Sequence, residues 1–375
     1  MSKENANPVL TVRNLTVEYA TPKGPVRAVN RANLDLFPGE VLGLVGESGS
    51  GKTTATSAIL QLLPRSASVT SGSIMLEDED LLSLSEKELH NRRWARLSLV
   101  PQGAMNSLNP TMTVSAQIRD VILTHEGRSS REGIKKRILD LFDCVGLPHR
   151  IYSMFPHELS GGMKQRVCIA MAIALNPNVI IADESTSALD VVVQRVIAQT
   201  LLKIKADLNI AIIMIAHDMG LMAQMADRIA VMLEGEIVET ATVHELFSSP
   251  QHQYSKRLIT SVPSLSGLRR GVESRRQAIN AASSESDLAH PLIRGGEIPS
   301  NPLLSLIGVK KSYGDVVALD HFDLTIPQAP ATIVTVAGES GSGKSTLGNL
   351  VLGFTQPTEG KIAYNGRDIT RASPA

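Results

Sequence analysis

Residues 46–53 read GESGSGKT, and residues 338–345 repeat the octapeptide as GESGSGKS. The spacing G-x-x-x-x-G-K-[ST] has a specific chemistry. Glycines let successive backbone N–H groups turn toward one point, the lysine adds a mobile positive charge, and the hydroxyl is a hard oxygen ligand for Mg²⁺. Such a set cradles a polyphosphate. Gly46, Glu47, Ser48, Gly49, Ser50, Gly51, Lys52, Thr53 and Thr54 are therefore candidate contacts for Mg-ATP, with Lys52 on the β- and γ-phosphates and Thr53 on the metal. The repeat nominates Gly338, Gly341, Gly343, Lys344, Ser345 and Thr346 for a second nucleotide, with Ser345 as the metal ligand. A plain glycine turn is the alternative. The complete pattern, its flanks and its second copy weigh against it.

Two further groups lie downstream of the first loop. The apolar run VIIA ends in Asp183 and Glu184; the first carboxylate suits Mg²⁺ through its water shell and the second suits polarisation of an attacking water. Between loop and carboxylates stands LSGGMKQR, residues 159–166. Ser160, Gly161 and Gly162 lead into an expected helix over 163–175, whose first N–H groups and dipole form another phosphate-binding end. Alone, LSGG reads better as a helix cap. Its order relative to the other motifs favours function.

These groups need elements to hold them. Strand-like runs at 41–45, 97–100, 179–182, 211–215 and 229–233 alternate with helical stretches, one of them over 54–63 up to Pro64. The expected fold is α/β, a largely parallel core sheet fronted by an antiparallel N-terminal sheet. Residues 108–174 read as a mostly helical subdomain broken at Pro148 and Pro156. The surroundings of the loop repeat too: 9–19 matches 303–313, 28–36 matches 318–326, and TSGSIMLEDEDL matches TEGKIAYNGRDI. One domain type is written twice, over 1–262 and, in part, over 303–375. The Ser, Arg, Gly and Pro-rich stretch 263–302 reads as a linker.

Composition narrows the partners. With 37 basic and 37 acidic residues, no field draws the whole chain to nucleic acid or to anionic lipid. Its two cysteines, Cys144 and Cys168, lack metal-ligand spacing, and the apolar runs are strand-sized rather than membrane-spanning.

Taken together, the loop, the LSGG segment and the Asp183–Glu184 pair resemble those of the ATP-binding subunits of ABC transporters, P-loop NTPases in which the signature of one domain closes over the ATP of another. The resemblance implies further roles: Tyr19, and Tyr313 in the second copy, stacked on adenine; Gln102 contacting Mg²⁺ and sensing a transport subunit; Gln165 with the signature contacts; Asp190 crossing the dimer interface; and His217 on the γ-phosphate. Lys52, Gln102, Glu184 and His217 would form the catalytic set, with Thr53, Gln102, Asp183 and Ser345 on metal. Ser185 stands where the family usually has proline, and Lys164 where it has Arg or Gln.

Within the family, PQGAMNSLNPTMTV and SSPQHQYSKRLITSVPSL look like the peptide/nickel importer branch, in its fused two-domain form. The partners implied are permeases at the cytoplasmic face of the inner membrane and, through them, an extracytoplasmic binding protein. A second ATPase domain, from another copy or another chain, would complete the site, since the second copy reaches neither a signature nor an Asp-Glu pair. Weak ATPase in the monomer is the expectation. With no cysteine after Cys168, no iron–sulfur cluster is expected. The rival is a soluble ABC ATPase of ribosomes or DNA, but the charged helical linker, coiled coils or zinc modules of those proteins are missing here. A catalytically crippled remnant is the third reading.

Overall fold

The computed structural model describes residues 7–103, 107–127, 130–184, 191–216, 218–260, 302–314, 316–328, 333–338 and 341–371. The chain divides into two compact units, Met1–Leu268 and Arg269–Ala375. The expected linker lies outside the described residues save for Pro302, which already opens a strand.

In the first unit, β1 (Leu10–Thr21), β2 (Gly24–Leu36), β4 (Ala67–Leu76) and β5 (Glu79–Asp80) form an antiparallel sheet in the order β2-β1-β4-β5. The second sheet runs β10-β9-β3-β8-β7-β6, built from β3 (Val41–Val45), β6 (Leu97–Val100), β7 (Val179–Asp183), β8 (Ala211–Ile215), β9 (Arg228–Leu233) and β10 (Glu236–Thr242). Only β10 pairs antiparallel in it. Every residue of β3, β7 and β8 is buried, as unbroken apolar runs covered on both faces require. The loop at 46–53 leaves the C-terminal end of β3, a central strand, and Asp183–Glu184 leaves that of β7. In open α/β sheets, ligands bind at these strand ends.

Helices carry the remaining motifs: α1 (Lys52–Ile59), α2 (Glu86–Arg92), α3 (Val114–Glu126), α4 (Arg131–Val145), α5 (Gly161–Ala172), α6 (Val191–Leu208), α7 (Met219–Met225), α8 (Val243–Ser248) and α9 (Gln253–Thr260). The helical subdomain is α3, α4 and α5, and short 3₁₀ turns at His149–Ser153 and Pro156–Glu158 fall at the two expected proline breaks. Two helix boundaries differ from expectation. α1 begins at Lys52, capped by Gly51, and is over before Gln61, whose φ of 52° cannot continue a right-handed helix. α5 begins at Gly161, because the Ser160 side chain accepts the Met163 N–H and makes Ser160 the N-cap.

The second unit contains the antiparallel sheet β12-β11-β13-β14, from β11 (Pro302–Tyr313), β12 (Val316–Pro327), β13 (Glu359–Tyr364) and β14 (Arg367–Asp368), plus α10 (Lys344–Val351). Its core is small: Leu304, Leu306, Val309, Leu347, Leu350 and Ile362 are its most buried apolar side chains. Residues 333–338, the counterpart of β3 and the loop's first glycine, join no sheet, and Ile333 is 96 % exposed. Parallel strands on both sides bury β3; no such strands occur among the described residues of the second unit.

Candidate nucleotide site

The first loop is braced below and open above. Gly51 has φ 102°, and a Cβ there would lie 2.4 Å from the Ala28 carbonyl oxygen and 2.9 Å from Met232 Cε. At Gly46 a Cβ would meet the Met232 carbonyl at 2.1 Å. Glycine is thus required at both ends of the loop by contact with the strands beneath it. The Gly235 N–H, in the turn between β9 and β10, donates to the Ser50 carbonyl at 3.0 Å. Glu47, Ser48 and Gly49 are exposed, as is Thr53 at the first turn of α1. A loop held from below with its rim in solvent, leading into a helix N-terminus, is the cradle a polyphosphate needs.

Lys52 is 5 % exposed. Its ammonium donates to the carbonyls of Gly46 (2.8 Å) and Glu47 (2.7 Å) and to Ser50 Oγ (3.3 Å). Burial lowers its pKa, opposed by the attraction of Glu184 and Asp183. The loop's cation and the carboxylates at the end of β7 therefore sense one another across the strand ends. Thr53 and Asp183, hard oxygen donors beside this loop, fit Mg²⁺.

Asp183 is 7 % exposed. Glu184 turns out of the sheet with φ 42°, and its N–H donates to the Ile215 carbonyl at 3.0 Å. A left-handed backbone at a residue other than glycine stores strain, which persists where the surroundings enforce it. The Gln102 amide, just beyond β6, donates to the Glu184 carboxylate. Tyr19, near the end of β1, brings its hydroxyl within 3.4 Å of Thr54 Oγ1, so its ring stands beside the first turn of α1.

In the signature segment Ser160 is exposed at the start of α5, with Gly161 and Gly162 following half-buried. A Cβ at Gly162 would approach Val193 Cγ1 to 2.7 Å, so this end of α5 packs closely on α6. Gln165 departs from its expected place: it is 3 % exposed and turned into the domain, one turn beyond the open helix end. Asp190 and His217 lie outside the described residues.

At its described glycines the second loop repeats the backbone of the first. Gly341 and Gly343 have φ 85° and 90°, against 84° and 102° at Gly49 and Gly51. A Cβ at Gly343 would meet the Ala318 carbonyl at 2.4 Å, as one at Gly51 meets that of Ala28. The Lys344 ammonium donates to the Gly338 carbonyl at 2.7 Å, while Ser345 is exposed and Thr346 half-buried at the start of α10. Tyr313 closes β11, 49 % exposed, with the Lys311 ammonium 5.0 Å from its ring centroid.

Sequence reasoning placed Tyr254, with His252, at the start of a short helix in the SSPQHQYSKRLITSVPSL segment and gave it no role at this site. Its hydroxyl, on α9, accepts the Glu47 N–H at 2.9 Å. No spacing rule joins residues 207 positions apart.

Known proteins resemble this chain in sequence and fold. The family model described as ABC transporter matches residues 29–187 and 319–375. The peptidoglycan transport ATP-binding protein YejF of Agrobacterium fabrum is 38 % identical over 373 residues, 98 % of this chain and 65 % of that protein. The chain thus spans less than two thirds of that relative. The oligopeptide transport ATP-binding protein OppD of Bacillus subtilis is 45 % identical over 260 residues, 68 % of this chain and 72 % of that protein. Among solved structures, the dimeric post-hydrolysis state of the ATP-binding cassette MJ0796 bound to ADP and Pi superposes with a TM-score of 0.56 at 29 % identity, covering 62 % of this chain and 98 % of that one. Two braced phosphate loops, a capped signature helix and a matching family model over both halves place the chain in the ABC transporter family.

Proposed function

We propose that the chain is the ATP-binding and ATP-hydrolysing motor of a peptide- or nickel-type importer, working through integral-membrane permeases and, beyond them, a substrate-binding protein. The observation that carries this reading is the junction at Gln102. Its amide touches the Glu184 carboxylate, while Pro101 beside it lines an apolar surface groove with Trp94, Leu97, Leu99, Leu108 and Met171. One residue therefore separates a surface that a permease segment could fill from the group that handles water. No helix among the described residues is long and apolar enough to cross a membrane, which suits a peripheral subunit at the cytoplasmic face.

In this reading the loop N–H groups and Lys52 bind and orient the triphosphate, and Tyr19 flanks the base. Thr53, with Asp183 and Gln102, would hold Mg²⁺, which when bound would supply positive charge against the phosphate oxygens. Glu184 takes a proton from the attacking water, and Gln102 sets the angle of that carboxylate. Ser160 and the N-terminus of α5 are turned outward, ready to cover a nucleotide held by another domain. The dimeric state of MJ0796 supports pairing of two such domains.

Phosphate release from purified protein, with co-purified permeases and candidate peptides, tests the reading. Glu184→Gln should retain Mg-ATP binding and lose at least about 10²-fold in turnover, the contribution of a positioned base. Activity should rise faster than linearly with protein concentration and vanish in Ser160→Arg. Linear activity indifferent to Ser160→Arg would refute pairing, and failure to recover any permease would refute the transport role.

A further inference from the structure

We propose that Tyr254 is a positioning residue for the nucleotide loop, fixing the first turn of the phosphate cradle from the helix that ends the described part of the first unit. The inference rests on the reading of Gly46 to Thr53 as an ATP site and adds a residue from outside the motif.

The Glu47 peptide is held from both sides. Its carbonyl accepts from the Lys52 ammonium at 2.7 Å and from the Ser50 N–H at 3.2 Å; its N–H donates to the Tyr254 hydroxyl at 2.9 Å. Lys52 cannot serve that carbonyl and a γ-phosphate equally well. As its ammonium turns to phosphate oxygens, the tyrosine becomes the more important restraint on this peptide. Removing the hydroxyl therefore penalises the nucleotide-bound loop more than the free one, and the loss appears in affinity.

Tyr254 is built to stay in place. Only 6 % of it is exposed, within the main core of the unit. Burial raises the pKa of its phenol, so the hydroxyl stays neutral and its oxygen remains available as an acceptor. The helix carrying it is anchored at its N-terminal end by Glu239 of β10, whose two carboxylate oxygens accept the N–H groups of Gln251 (2.8 Å) and His252 (2.9 Å). His252 Nδ1 in turn accepts the Tyr254 N–H at 3.2 Å. A chain of polar contacts thus runs from β10 through the start of α9 to the second residue of the phosphate loop. The Glu47 N–H belongs to the loop's second residue and is already taken by the phenol, which leaves the N–H groups of Lys52 and Thr53 at the helix start free of it.

The test is Tyr254→Phe in the full chain, which keeps the packed ring and deletes only the hydroxyl. Three quantities are compared with wild type: melting temperature without nucleotide, Kd for Mg-ATP from titration with a fluorescent analogue and competition, and amide exchange across 46–50. The expected result is a melting temperature within about 3 °C of wild type, the shift associated with about 1 kcal/mol in a domain of this size. Kd should rise about five- to tenfold, tenfold being about 1.4 kcal/mol, with faster exchange at Glu47. A Kd within twofold of wild type, or a weaker Kd with Glu47 exchange unchanged, would overturn the inference. Absence of Mg-ATP binding by the wild-type chain would instead defeat the underlying reading of the loop.

Discussion

Substituting alanine at Gly51 and, separately, at Gly49 distinguishes two ways in which the first loop depends on glycine. Both residues have positive φ, 102° and 84°, where a side chain costs about 1–2 kcal/mol on backbone grounds. Only Gly51 also has a wall behind it: an alanine methyl there would sit 2.4 Å from the Ala28 carbonyl oxygen and 2.9 Å from Met232 Cε, whereas at Gly49 nothing lies within 4 Å. The methionine can swing aside, but the carbonyl belongs to β2 and moves only with its strand. Overpacking of that kind adds about 1–3 kcal/mol. Gly51→Ala should therefore lose roughly 2–5 kcal/mol and Gly49→Ala no more than about 2. At about 2–4 °C per kcal/mol in a domain of this size, the first unit's melting transition should fall by roughly 4–20 °C in one variant and by about 2–8 °C in the other. Thermal melts followed by circular dichroism, repeated with Mg-ATP, give both numbers. Equal losses at the two positions would refute the claim that the strands beneath Gly51 set the loop's shape.

Cys144 is exposed and Cys168 is buried, its thiol pushed up to about 11 by burial; maleimide at neutral pH should label one equivalent in native protein and two in denaturant, counted by mass spectrometry. Gly162→Ala would press on Val193 Cγ1, whose β-branched side chain has one favoured rotamer in a helix, so it should reduce stability by about 1–3 kcal/mol, measured by urea titration. Glu79 is held below its ordinary 4.5 by its hydrogen bond to Arg92, at 2.7 and 2.8 Å, against the opposing effect of burial. A carboxylate with a lowered folded pKa lends stability above its unfolded pKa and loses it as pH falls through the folded one. Arg92→Leu should therefore cost about 1 kcal/mol or less at neutral pH and flatten the acid limb of a stability-versus-pH series, while leaving the alkaline limb unchanged.

The core sheet is legible in the sequence because its strands are apolar on both faces: VLGLV, LSLV, VIIAD and AIIMI have no polar face to misplace. Capping decides the helix starts, and it is harder to read. Ser160 reads as part of a phosphate-binding end, yet its side chain also caps α5, so the helix opens at Gly161. The end of α1 is invisible because nothing about a glutamine marks Gln61 for a positive φ; Pro64, the evident stop, lies three residues beyond it. Gln165 takes its expected role from its neighbours in the motif, whereas the rotation of about 100° per residue along a helix turns it away from the open end and into the core. Tyr254 falls in the SSPQHQY segment, but its link to Glu47 is illegible there, since it exists only once β3, β10 and α9 have packed.

The close match between the two phosphate loops extends to what lies beneath them. Under Gly51 sits the Ala28 carbonyl, and under Gly343 the Ala318 carbonyl, each at 2.4 Å from the would-be methyl and each on the second strand of an antiparallel sheet. One copy also has the full six-stranded sheet around it; among its described residues, the other does not. The left-handed turn at these two glycines, Gly341 and Gly343 in the second copy, therefore travels with the end of the loop and one strand edge, and keeps its form where the larger scaffold differs. The shape of the loop's glycine end is in this sense separable from the six-stranded sheet, so a substitution in one should leave the other's geometry intact.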